Sequence, residues 1–147
     1  MKFVKAAVIG ALLVAGAAYA EGDRTDPNAI ARSDLMKTIG KNTGILGGMA
    51  KGETAHDAAA AEGAKAAIIE ASAKIEETFK EQGAADPASE AKPEIWANWD
   101  DFLADAKALG DAAGAMDVAS AESIGAGMGA LGGTCKDCHT EFRVMKQ

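Results

Sequence analysis

The chain has 147 residues, 48% of them hydrophobic and 25% charged, with 22 acidic against 15 basic side chains and a formal net charge of −7. That is enough for one domain with a single modest core, and the acidic balance argues against nucleic acid as a partner, since a polyphosphate would be repelled. An acidic surface favours encounter with a basic or locally positive protein at a salt-dependent rate; its plainer consequence is solubility.

Residues 1–20 read as a secretory signal peptide, separate from the fold. Lys2 and Lys5 give a positive start, and Ala6 to Tyr19 is an apolar run too short to span a bilayer comfortably. Ala18-Tyr19-Ala20 is a small-x-small cleavage site, which sets the uncleaved-anchor alternative aside. The expected mature domain is 21–147, a periplasmic protein. Taking the two signal lysines from 15 bases leaves 13 against 22 acids, a net charge of −9.

After a loose leader, Asp26-Pro27 opens a first helix, with a capping carboxylate and a proline where the missing N–H is harmless. It should run to Lys51 and stop at Gly52. Met36, Ile39, Thr43 and Leu46 form one stripe, and Arg32 lies a turn before Met36. Gly40, Gly44, Gly47 and Gly48 lower the intrinsic propensity and suggest close packing against a cofactor or a neighbouring helix.

Asp57 is the expected cap of a second helix reaching Glu81, with Ala60, Ala64, Ala67, Ile68, Ala71, Ile75 and Phe79 as its apolar stripe. His56, beside that cap, reads as solvent-exposed. Residues 82–92 form the longest linker. A third helix, Pro93 to Met116, carries both tryptophans and the stripe Ile95, Trp96, Trp99, Phe102, Leu103, Ala106 and Leu109. It is the main core element and a candidate wall for a large planar group.

Ser120 caps a fourth helix to Lys146. Ile124, Met128, Leu131, Cys135, Cys138 and Phe142 recur at steps of four and three, the spacing of a bundle seam. Four helices with short connections and no alternating strand pattern predict an all-α, antiparallel up-down-up-down four-helix bundle.

The fourth helix carries the chemistry. Cys135-Lys136-Asp137-Cys138-His139 is the attachment pattern of a covalently bound haem c: two thiols bond the porphyrin and the following histidine ligates iron. On a helix, Cys135, Cys138 and His139 share one face, near one end of the bundle. Three other uses compete. A disulfide needs only the two cysteines; a thiol redox centre wants a βαβ setting, and no strand precedes the pair; zinc wants further ligands, and the other histidine, His56, is distant in sequence.

With these stretches in view, the chain resembles the class II c-type cytochromes, the cytochrome c′ and cytochrome c-556 family. Arg32-Ser33-Asp34-Leu35-Met36-Lys37, Pro93-Glu94-Ile95-Trp96-Ala97-Asn98-Trp99-Asp100-Asp101-Phe102 and the run Cys135 to Arg143 carry the likeness. The C-terminal place of the motif separates it from class I cytochromes c. The resemblance implies a haem between the first and fourth helices, with His139 as the proximal iron ligand and the residue at Met36 facing the other side. Gas-binding relatives place an apolar side chain there; the c-556 branch places methionine. His/Met ligation fills the sixth site and raises the reduction potential, whereas Met36 as mere core filler is the plainer role.

The resemblance also implies Arg32 and Arg143 near haem propionates and Trp96 as a haem-side aromatic. Some relatives pair as homodimers through their first two helices. The expected function is therefore a low-spin, single-electron carrier working with redox partner proteins, with no catalytic acid or base. The alternatives are a five-coordinate protein binding NO or CO, and a haem-free thiol-disulfide protein.

Overall fold

A computed structural model describes residues 23–145; the expected signal peptide lies outside them. Helix α1 spans Pro27–Ala50, and Asp26 caps it by accepting a hydrogen bond from the Ala29 N–H at 2.9 Å. It ends where Gly52, at φ 72°, turns left-handed, a conformation that glycine adopts without strain. The anticipated Pro27 start and Gly52 stop are both observed. The leader is less loose than expected, because the N–H groups of Thr25 and Asp26 donate to the Asp86 carboxylate at 2.7 and 2.9 Å.

The second helix is interrupted. Helix α2 covers Ala58–Ala73 behind its Asp57 cap, and a short α3 covers Ile75–Phe79. At Lys74 the N–H bonds to Ala71, three residues back, and this tighter turn breaks the ladder while Ile75 and Phe79 still reach the core. The chain leaves the helix at Phe79, short of Glu81. Ala61, instead of Ala60, starts the buried stripe.

The third helix is divided too, into α4 (Glu94–Ala97) and α5 (Trp99–Ala115). Asn98, at φ −122° and ψ 51°, leaves the helical region, yet its N–H bonds to Glu94 and its carbonyl accepts from Phe102. Helix α6 spans Ala121–Phe142, opened by a reciprocal Ser120–Ser123 capping box. It stops before Lys146 because Arg143 and Val144 become extended and pair with the linker: Lys92 N–H donates to Phe142 O at 3.0 Å, and Val144 N–H to Glu90 O at 2.8 Å. The Lys92 ammonium also caps α6, 2.8 Å from the Glu141 carbonyl, where a cation suits the dipole.

Helices α1, α2, α5 and α6 each touch two neighbours in a closed ring, and diagonal helices stay apart. This is the anticipated four-helix bundle. Leu46, Ile68, Ile95, Ile124 and Leu131 are its largest fully buried side chains. At one end His56 Nε2 lies 2.9 Å from the Val118 carbonyl, and Lys65 Nζ of α2 donates to Met116 O at 2.7 Å, fastening the loop after α5 to α2 and the loop before it. His56 is thus half-buried and bonded to the backbone, a correction to its expected exposure. Among the four glycines of α1, Gly47 lies against Met128 and Gly48 against Thr54, whereas no described residue packs closely on Gly40 or Gly44. Among the described residues no helix is long and apolar enough to cross a membrane.

Candidate functional site

The other end of the bundle opens into a cavity of about 840 Å³ between residues 32–43 of α1 and the C-terminal half of α6, a size that suits a large organic ligand. Helix α6 contributes Cys135, Cys138 and His139 from one face, as the i, i+3, i+4 spacing requires. Helix α1 contributes Met36, Ile39, Gly40 and Thr43. Phe79, Phe102 and Phe142 form an apolar back wall around Phe102, with ring centroids 5.1 and 5.3 Å from it. The linker closes the rim with residues 88–91.

The electrostatics suit thiols that stay protonated. Burial pushes the Cys138 thiol up to about 12, helped by the negative charges of Asp105 and Glu141, and burial raises Cys135 as well. A redox-active pair needs at least one thiol lowered toward the thiolate, so this environment opposes thiol-disulfide chemistry. No disulfide joins the two cysteines. Burial holds the His139 imidazole below its ordinary value, the Arg143 guanidinium lowers it further, and Glu90 opposes that. A neutral imidazole keeps a lone pair for a metal. Asp105 is raised by burial and by Asp137 and Asp101.

Arg32 is buried, 5% exposed, with its guanidinium 5.3 Å from the Trp96 ring centre and 5.8 Å from that of Phe79. Its Nη1 donates to the carbonyls of Glu81 and Gln82 at 2.9 and 3.2 Å. Arg32 reaches the cavity wall; Trp96 does not. Trp96 packs against the Arg32 guanidinium and donates its indole N–H to Phe79 O at 2.8 Å. Arg143 lines the cavity and is bound by Glu90.

Two buried polar atoms on residues of this wall have no hydrogen-bond partner, Arg32 Nε and Thr43 Oγ1. Thr38, Thr134 and Thr140 each bond back to a carbonyl of the preceding turn; Thr43 does not. Buried donors without partners are rare in a finished structure, and both belong to residues of the cavity wall. The donor set and the volume fit a haem. Sequence reasoning placed Thr43 only on a stripe. Asp105 was legible as an acid among apolar neighbours, and Glu90 carried no signal.

A helical bundle that lines an internal cavity with a Cys-x-x-Cys-His face and an apolar wall has the build of a c-type haem protein. The Cytochrome C′ family model matches residues 28–143. The chain is 39% identical over 119 residues to cytochrome c-556 of Agrobacterium tumefaciens (strain apple 185), covering 79% of this chain and 94% of that protein. It is 38% identical over 121 residues to cytochrome c′ of Pararhodospirillum photometricum, covering 76% and 92%. The solved cytochrome c′ from Rhodopseudomonas palustris superimposes with a TM-score of 0.71 at 30% identity, covering 82% of this chain and 98% of that one. The chain belongs to the cytochrome c′ family. Its cofactor is the covalently attached haem c of that family.

Proposed function

We propose that this protein is an exported, low-spin member of its family that carries single electrons between redox partner proteins. Cys135 and Cys138 anchor the haem, His139 supplies the proximal nitrogen, and Met36 supplies the distal sulfur. The bound haem contributes a one-electron iron couple. The residues do the rest: the thioether of Met36 occupies the side from which a gas would enter, and Ile39, Phe79, Phe102 and Phe142 keep water out. A ligand set that is full in both oxidation states needs little rearrangement, which suits electron transfer.

One observation carries this reading: Met36 of α1 and His139 of α6 line the same cavity as the cysteine pair, on opposing helices. A leucine or phenylalanine at that position would have no atom to offer iron. Arg32 and Arg143, which both line the cavity, support propionate contacts on its rim. Export and periplasmic residence follow from the proposed signal at 1–20, in keeping with the periplasmic character of cytochromes c′ and c-556. Pairing of two copies through α1 and α2, which expose Ile30 and Ile69, belongs to the same proposal, with sedimentation as its check.

The experiment is the absorption spectrum of the reduced holoprotein with and without carbon monoxide. A low-spin spectrum indifferent to the gas is expected. A high-spin spectrum that takes up carbon monoxide would favour a gas-binding member of the family, and purified protein lacking a Soret band after expression with haem-attachment machinery would favour thiol chemistry.

A further inference from the structure

The strap that closes the cavity rim carries an ion pair unlike the others in the molecule. Arg143 Nη2 and Nε lie 2.6 and 2.8 Å from the same Glu90 oxygen. In the four other ion pairs among the described residues every member is at least 60% exposed, whereas the Glu90 side chain is 18% and that of Arg143 45% exposed. The pairing is also fixed by the backbone: Ala91 bridges Arg143, and the hydrogen bonds from Lys92 and Val144 flank it on either side. Arg143 follows His139 by one helical turn, and Glu90, Arg143 and His139 line one cavity.

We propose that Glu90 and Arg143 are positioning residues whose opposed charges, held beside His139, set the reduction potential of the haem. The proposal rests on the electron-carrier reading above, with His139 bound to iron. Ferric iron carries one more positive charge than ferrous iron, and the added electron comes from an external one-electron donor. A nearby guanidinium therefore favours the reduced state and a nearby carboxylate the oxidised state. Glu90 offsets Arg143, and the strap holds the two in register so that the offset is constant. The linker between the second and third helices then has an electronic role as well as a connecting one.

The sign of the effect separates charge from architecture. Glu90→Gln and Arg143→Gln break the same ion pair, so a purely structural role would move the potential in the same direction in both. The charge role moves it in opposite directions. A unit charge at about 10 Å in a medium of effective dielectric constant about 20 changes an equilibrium by somewhat more than tenfold; solvent exposure and salt reduce this to about fivefold.

The test is the equilibrium constant for reduction of the holoprotein by a one-electron mediator dye at pH 7 and low salt. Glu90→Gln should raise it about fivefold and Arg143→Gln lower it about fivefold. Arg143→Lys, which keeps the charge, and the double glutamine variant should both stay within about twofold of the parent. Shifts of the same sign, or no shift in Glu90→Gln, would overturn the proposal; if Arg143→Gln fails to retain haem, the Glu90→Gln and Arg143→Lys results decide it. Carbon monoxide uptake by the unmodified holoprotein would end the Met36 ligand reading while leaving the opposed signs to be read.

Discussion

Arg32 Nη1 lies 2.9 Å from the carbonyl oxygen of Glu81. One side chain of α1 thereby fastens the end of the second helical arm, and its stacking between Trp96 and Phe79 fastens the third. Arg32→Ala removes a charged donor shared by two carbonyls together with the packing of its stem. It should destabilise the holoprotein by about 2–3 kcal/mol in denaturant unfolding. Arg32→Lys should recover less than half, because an ammonium lacks the planar fork that stacks and donates at once.

Acid should loosen the same end of the bundle. The Asp26 carboxyl is held below the ordinary range chiefly by the N–H groups of Ala29 and Ala84, and Asp86 chiefly by those of Asp26 and Thr25. A folded value below the unfolded one means that the folded state binds fewer protons. The stability these groups contribute is complete above the ordinary aspartate value of about 3.9 and is lost as pH falls through it toward the folded values. Thermal melts of the holoprotein followed by helical circular dichroism should show Tm declining below about pH 5. Asp86→Asn should lower Tm at pH 7 and flatten the acid limb; an acid limb as steep as the parent's would contradict this account.

Two left-handed glycines make a paired test. Gly83, at φ 76°, lies where an added Cβ would stand 2.5 Å from Asp26 Oδ1 and 2.7 Å from Asn28 Nδ2, while Gly52, at φ 72°, faces open space. Gly52→Ala should cost about 1 kcal/mol, the backbone strain alone. Gly83→Ala should cost clearly more, since it also displaces the Asp26 cap. Equal losses in chemical denaturation would show that the cap tolerates the intrusion.

Much of this architecture was readable from residues alone, for reasons that differ by element. Asp26-Pro27, Asp57 and Ser120 are caps whose partners lie a few residues away, so local chemistry determined three helix starts. The seam of α6 was legible because Cys135, Cys138 and His139 obey the same period as Ile124, Leu131 and Phe142. The interruptions at Lys74 and Asn98 were not, because no glycine or proline stands at either position. The early end of α6 depends on pairing with Glu90 and Lys92, about 50 positions earlier, a contact that no local pattern encodes. The resemblance put Trp96 beside the haem, and the packing of Arg32 between it and Phe79 is visible only in three dimensions.

The most direct test of the central claim is the reduced absorption spectrum of Met36→Ala beside the parent, each with and without carbon monoxide. The parent should be low-spin and indifferent to the gas. Met36→Ala should become high-spin and bind it, with Cys135 and Cys138 still retaining the haem through acid extraction. A variant whose spectrum stays low-spin and closed to carbon monoxide would contradict Met36 as the distal ligand.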